Sequence, residues 1–307
     1  MCKIMDGKKL SDKIKEQIRV ELESIHNTSH RKCSLAVVLI GENPASKIYV
    51  NNKIKACELV GIESHFIKLS ENATQEEAEM EVKKLAESDI DGILVQLPLP
   101  KHLDEKKILD LIPTDKDVDG FCAENIGKLT LGEDTLYSCT PYGVMQILKE
   151  YNIDLKGKNA VVIGRSNIVG KPMALLLLKE SCTVSICHSK TENLSFYTKN
   201  ADILVVAIGK AKFVTGDMVK EGAVVIDVGM DRDENGKLCG DVDFDSVSKV
   251  CSYITPVPGG VGPMTIATLL SNTVRSAERY YDKECQKALK HDKIAKICKD
   301  CGPIIVK

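Results

Sequence analysis

The chain has 307 residues, 43% of them hydrophobic and 28% charged, with 42 Lys and Arg against 44 Asp and Glu for a formal charge of −2. At about 150 residues per domain, that length predicts two domains, each able to bury its own core. The near balance of charge removes the electrostatic reason to expect nucleic acid or an anionic membrane as partner. No run approaches the ~20 apolar residues of a membrane span, and the N-terminus carries no signal-peptide core, so a cytoplasmic protein is expected.

Residues 8–25 set Leu10, Ile14, Ile18, Leu22 and Ile25 close to a 3.6-residue period, which predicts an amphipathic helix. The apolar run 35–41 reads as a buried strand. Asn43 and Pro44 then supply an N-cap and a first helical residue, for a helix reaching about Val60 and stopped by Gly61. A strand at 65–69, a helix at 74–88 and a strand at 92–100 follow. This spacing argues for parallel strands joined by crossover helices. Residues 127–141 read as loop and linker. The pattern restarts with strands at 160–164, 183–187, 202–209, 223–229 and 252–257, and with a helix from about 171; a doubly wound sheet is the simplest architecture. A helix at 264–281 closes the regular part, and 282–307 look appended.

The strand at 160–164 runs into GRSNIVGKP, with Gly164 at its end and Gly170 at the helix start. A dinucleotide pyrophosphate needs a tight turn, close backbone approach and an open helix N-terminus. The two glycines can meet the first and last needs, and Ser166 stands where the usual fingerprint has its second glycine. The next strand ends CHSKT, with no carboxylate before Glu192 to take a ribose hydroxyl. Arg165, Ser189 and Lys190 are instead candidates for a 2′-phosphate, so NADP is favoured over NAD. For Arg165 alone, the other reading is a solvated loop arginine.

In the helix ending at Val60, Val50, Ile54, Cys57 and Val60 form the apolar stripe, while Asn51, Asn52, Lys55 and Glu58 lie on the polar side. Tyr49 and Lys53 are i, i+4 partners flanking that stripe. Lys53 is either a snorkelling surface lysine or a partly desolvated one suited to proton transfer near neutral pH. Gln96 interrupts an apolar run at the carboxyl end of a strand, where open α/β sheets place ligands, and a buried amide needs partners. Asp115, Asp117, Asp119 and Gly120 resemble the start of a calcium loop, but the twelfth position holds Ile126, so calcium is not expected.

Of twelve cysteines, Cys2, Cys33, Cys57, Cys122, Cys139, Cys182, Cys187, Cys239 and Cys251 lie singly and read as small buried hydrophobes, with Cys187 open to modification at the strand end. Cys285, Cys298 and Cys301 crowd the tail with His291. One C-x-x-C at this spacing is weak for zinc or for a redox pair, and a basic, partly helical surface tail is expected.

YVNNK, ILVQLPLP, DKDVDGF, VVIGRSNIVGKP, VIDVG and ITPVPGGVGPMT, in this order, resemble the bifunctional methylenetetrahydrofolate dehydrogenase/methenyltetrahydrofolate cyclohydrolases, from about residue 5 to 281. The resemblance implies an α/β protein of two α/β domains flanking a cleft, the second a Rossmann-like doubly wound parallel sheet. Residues 1–141 with 262–281 would bind folate, 142–261 would bind NADP, and 282–307 would be a tail. It implies NADP-dependent oxidation of 5,10-methylenetetrahydrofolate to the methenyl cation, then hydrolysis to 10-formyltetrahydrofolate. Lys53 would be the central catalytic residue, Tyr49 would align the folate, Gln96 would tune Lys53, and Asp119 would accept hydrogen bonds from the pterin. A lysine able to give up its proton avoids repulsion with the cation.

Substrate contacts would come from Tyr49, Val50, Asn51, Asn52 and Lys53, from Val95, Gln96 and Leu97, and from the stretch Pro256, Val257, Pro258, Gly259, Gly260, Val261, Gly262, Pro263 and Met264. Gly164, Arg165, Ser166 and Ser189 would take the NADP phosphates, with Met230 near the nicotinamide. A homodimer through the nucleotide-binding domain is also implied. The alternatives are a dehydrogenase without hydrolase activity and a non-catalytic NADP-binding regulatory protein.

Overall fold

The computed structural model describes residues 2–29 and 31–290. By contacts the chain divides into two compact units, one of Lys15–Val118 with the chain from Leu270 on, the other of the chain up to Ile14 with Asp119–Leu269. Its first elements are a two-residue strand β1 (Lys3–Ile4), the helix α1 (Gly7–Ser29), β2 (Ser34–Ile40), α2 (Pro44–Val60), β3 (Glu63–Leu69), α3 (Gln75–Glu87) and β4 (Gly92–Val95).

In the first unit β2 is central and pairs in parallel with β3 and β4. All seven β2 residues are buried, as a parallel strand covered on both faces requires. The local signals act as the sequence suggests. Asn43 Oδ1 accepts the Ser46 amide at 3.1 Å ahead of α2, and Gly61 leaves α2 at φ +93°. Thr74 and Glu77 close a capping box on α3. The third strand is shorter than the expected 92–100 and stops at Val95, because Pro98 and Pro100 have no N–H to give a ladder.

The expected loop at 127–141 is helical at both ends and irregular only over 132–138. After a short α4 (Glu105–Leu109) come α5 (Ala123–Leu131) and α6 (Cys139–Glu150). Cys122 Sγ accepts the Asn125 amide at the head of α5, and Gly132 ends it in the left-handed region. Leu129 and Tyr137 pack with Val144, Ile147 and Leu148, so this stretch belongs to the second unit rather than to the folds before it.

The second unit adds β5 (Asn159–Ile163), α7 (Gly170–Lys179), β6 (Thr183–Cys187), α8 (Leu194–Thr198), β7 (Ile203–Val206) and β8 (Val224–Asp227). A small antiparallel ribbon follows, β9 (Asp231–Arg232) with β10 (Leu238–Cys239), then α9 (Phe244–Val247), β11 (Tyr253–Ile254) and α10 (Val261–Lys290). Six strands pair in parallel in the order β1-β11-β8-β7-β5-β6, a Rossmann-like sheet. Its strands alternate between two cores. Val162, Val205 and Ile226 face one, whereas Val161, Leu204 and Val225 face the other. The N-terminal segment adds the edge strand β1, which the sequence did not announce, and α10 starts three residues before the expected 264.

Among the described residues nine cysteines are free, eight of them buried and Cys2 partly exposed. Burial raises the thiols of Cys33, Cys57, Cys182, Cys187, Cys239 and Cys251, that of Cys57 to about 12. Cys187 is buried too, not open at the strand end. The Cys285 side chain, and His291, Cys298 and Cys301 altogether, lie outside the described residues.

Candidate functional site

Lys53 lies on α2 with only 7% of its surface exposed, and its Nζ donates to Gln96 Oε1 at 3.0 Å. Gln96 follows the end of β4. Its own amide donates to Val38 O at 2.9 Å and its Nε2 to Leu97 O at 2.8 Å, which fixes the side-chain oxygen toward the lysine. Lys53 is thus buried rather than snorkelling to solvent. Tyr49, one turn earlier, is half-buried, and burial raises its phenol. Val50 and Val95 are buried, Asn51 and Asn52 exposed, and Leu97 half-buried. Asp117 pairs with Ile93 beside β4, tying the aspartate-rich turn to the strand that carries Gln96. Asp119 is half-buried at the start of the other unit, where its carbonyl accepts the Cys139 amide at 3.3 Å.

In the second unit the turn after β5 is tight for a stated reason. Gly164 has φ +123°, and a Cβ there would stand 2.2 Å from Ala207 O. A Cβ on Gly170 would stand 2.2 Å from Gly164 O, so α7 begins against the turn itself. The helix N-terminus is less open than expected. Ser166 Oγ accepts the amides of Val169 and Gly170 at 3.1 and 3.3 Å, and Ser166 O accepts that of Lys171. The side chains of Arg165 and Ser189 beside this turn are exposed. Replacing Gly170 by Ala should cost about 3 kcal/mol of stability in urea unfolding. Gly127→Ala in α5, where a Cβ meets nothing within 4 Å, should instead be neutral or slightly stabilising.

Two buried carboxylates, unremarked in the sequence, hold the loops beside this turn. Asp241 accepts the amides of Ile208, Gly209 and Lys210 at 2.7, 3.2 and 2.6 Å, fixing the loop after β7. Asp227, at the end of β8, accepts those of Gly229, Asp241 and Val242 at 3.0, 2.9 and 3.0 Å. The signal was available, since Asp227 interrupts an apolar run at a strand end just as Gln96 does.

Burial pushes the Asp227 carboxyl up to about 7 against the pull of its backbone donors. An acid raised on folding gives stability that is fully present below its unfolded value near ~3.9 and is lost as pH rises through its folded value. The unfolding free energy of the wild type relative to Asp227→Asn should therefore fall by about 4 kcal/mol between about pH 4 and about pH 7. Urea unfolding of both proteins across that range measures it, and a constant difference would refute the assignment.

Beyond β8, Met230 is 43% exposed, and a Cβ on Gly262 would lie 3.1 Å from its Cε. The residue expected near the nicotinamide thus meets the stretch expected to line the folate. Within 256–264, Pro256, Val257, Gly259, Gly262 and Pro263 are partly exposed and Pro258 is exposed, but Val261 and Met264 turn into the core with Val144 and Ile147. Lys8 N donates to Gly259 O at 2.8 Å and Ser11 Oγ to Pro263 O at 3.0 Å, bracing this stretch from the N-terminal segment.

A parallel nucleotide-type sheet with a tight strand–turn–helix in one unit, and a buried glutamine-bound lysine in the other, define a two-unit α/β enzyme that uses a dinucleotide. The chain belongs to the tetrahydrofolate dehydrogenase/cyclohydrolase family: residues 5–119 match its catalytic domain and 138–281 its NAD(P)-binding domain. It is 54% identical over 278 residues to the bifunctional protein FolD of Acetivibrio thermocellus, covering 90% of this chain and 97% of that one. The structure of the bifunctional FolD methylenetetrahydrofolate dehydrogenase/cyclohydrolase from Campylobacter jejuni superposes with a TM-score of 0.89 at 53% identity, covering 91% of this chain and 100% of that one. The Trypanosoma brucei dehydrogenase–cyclohydrolase, solved with NADP and an inhibitor, gives 0.88 at 36% identity over 91% of this chain and 98% of that one. The chain is accordingly a dehydrogenase/cyclohydrolase enzyme with an NAD(P)-binding domain. Among the described residues no helix is long and apolar enough to cross a membrane.

Proposed function

We propose that this enzyme oxidises 5,10-methylenetetrahydrofolate with NADP and then hydrolyses the methenyl product to 10-formyltetrahydrofolate, with Lys53 as the central catalytic residue. The observation that carries the reading is the buried Lys53, held by Gln96 Oε1 at 3.0 Å at the carboxyl end of β4. NADP, when bound, accepts a hydride from the bridging carbon of the substrate. Arg165 and Ser189 fit its extra phosphate, and the turn at 164–170, packed too tightly on the protein's own backbone to take a Cβ at either glycine, has the compactness a pyrophosphate-binding turn needs.

In the second step water adds to the cationic carbon and loses one proton; the bond from that carbon to N5 then breaks as the second proton passes from the oxygen to N5, leaving the formyl group on N10. Lys53 orients that water and takes part in moving its proton, Gln96 positions Lys53, and Tyr49 packs against the folate. Asp119 accepts N–H groups of the pterin, and the backbone of 256–264 lines the folate. The proposal includes a cytoplasmic homodimer paired through the nucleotide-binding unit. Its outer strand β6, with Ile186 42% exposed, supports that pairing.

An assay with methylenetetrahydrofolate and each cofactor, following NADPH or NADH together with 10-formyl product, tests the reading. Both products with NADP are expected. Reduced cofactor without formyl product would leave a dehydrogenase alone, and neither product would leave a binding protein.

A further inference from the structure

We propose that Cys2 and Cys251 form a reversible disulfide that fastens the edge strand β1 to β11, a thiol-modification site separate from the folate chemistry. Their sulfurs lie 3.3 Å apart, although 249 positions separate the residues in sequence. Closing to the bonded distance of about 2.05 Å needs only a small side-chain movement. The backbone already holds the two segments in register. Lys3 N donates to Ser252 O and Met5 N to Ile254 O, both at 2.8 Å, and Lys3 and Ile4 pair with Tyr253 and Ile254.

The two thiols differ in reach. Cys2 is partly exposed and open to a soluble reagent, whereas Cys251 is 6% exposed within the core under the sheet. Burial and the neighbouring Cys2 push the Cys251 thiol up to about 12, so Cys2 is the thiol that meets the reagent first. With oxidised glutathione as oxidant, the Cys2 thiolate attacks one sulfur of the reagent. A mixed disulfide forms and one glutathione thiolate leaves. Cys251 then gives up its proton and its sulfur attacks Cys2 Sγ, expelling the second glutathione. Two protein thiols are oxidised by two electrons and one small disulfide is reduced to two thiols.

The segment so fastened matters beyond the strand. From β1 the chain runs directly to Gly7, where a Cβ would stand 1.9 Å from Gly260 O, and to Lys8, which holds Gly259 O. A two-residue edge strand opens easily on its own, and the disulfide would keep it seated beneath the glycine stretch.

The full-length enzyme, incubated with graded ratios of oxidised to reduced glutathione and digested without reduction, tests this by mass spectrometry. The expected result is a Cys2–Cys251 linked peptide pair that dithiothreitol releases. Amide exchange at Lys3 and Met5 should slow by about tenfold in the oxidised enzyme and stay unchanged in oxidised Cys2→Ser. Cys2→Ser changes a partly exposed side chain, so it keeps the fold where Cys251→Ser in the core could lose it. Recovery of Cys2 only as its glutathione adduct, or joined to another cysteine, overturns the proposal. Equal slowing in Cys2→Ser does so as well.

Discussion

Lys53→Met is expected to remove cyclohydrolase activity, by about a thousandfold in kcat, while NADP still binds. Methionine keeps the unbranched length of the buried Lys53 stem, with sulfur in place of Cδ, and lacks the terminal nitrogen. With that nitrogen gone, Gln96 Oε1 loses the donor seen at 3.0 Å, which costs about 1–3 kcal/mol and leaves a folded enzyme. The NAD(P)-binding domain, residues 138–281, lies largely in the other compact unit, so cofactor titration should match the wild type. Loss of 10-formyl product with unchanged NADP affinity and an intact thermal transition is the signature sought. Hydrolysis at close to the wild-type rate would take Lys53 out of the reaction.

The strands and helices that could be read from sequence were those whose local signals and burial agree. β2 is a seven-residue apolar run, α2 has Asn43, Pro44 and Gly61 at its ends, and α3 has its Thr74–Glu77 box. Elements that depend on distant partners were not legible. Two residues at 3–4 become a strand only because β11 offers an edge, and α5 is helical in a stretch whose glycines and hydroxyl residues read as linker. The unit boundary at Val118/Asp119 likewise follows from where Leu129 and Tyr137 find apolar neighbours, which composition does not reveal.

The same contrast applies to the site. Gln96 stood out as a polar residue in an apolar run and proved to bind Lys53. Asp227 carries the identical signal, yet only the structure shows the three amides that give it a purpose. Cys2 and Cys251 were read as isolated, because nothing local joins residues so far apart in sequence.

Arg165→Ala is expected to raise KM for NADP by about 10–100-fold and to leave KM for NAD within a factor of about three. The two cofactors differ only in the 2′-phosphate, so a residue that acts there must separate them. Arg165 begins the turn after Gly164 with its side chain exposed, and the strand beside it ends at Cys187. There the His188 amide is held by Thr191 Oγ1 at 2.8 Å and the Lys190 amide by His188 Nδ1 at 3.2 Å, a compact turn that presents Ser189 and Lys190. No carboxylate precedes Glu192 to claim a free ribose hydroxyl. Because the guanidinium is exposed, salt should weaken its contribution, and the preference for NADP should shrink between low and physiological ionic strength. Arg165→Lys keeps the charge and loses the planar fork, so it should recover only part of the affinity. Equal rises in both KM values would assign Arg165 to the pyrophosphate that the cofactors share, and discrimination would then rest on Ser189 and Lys190.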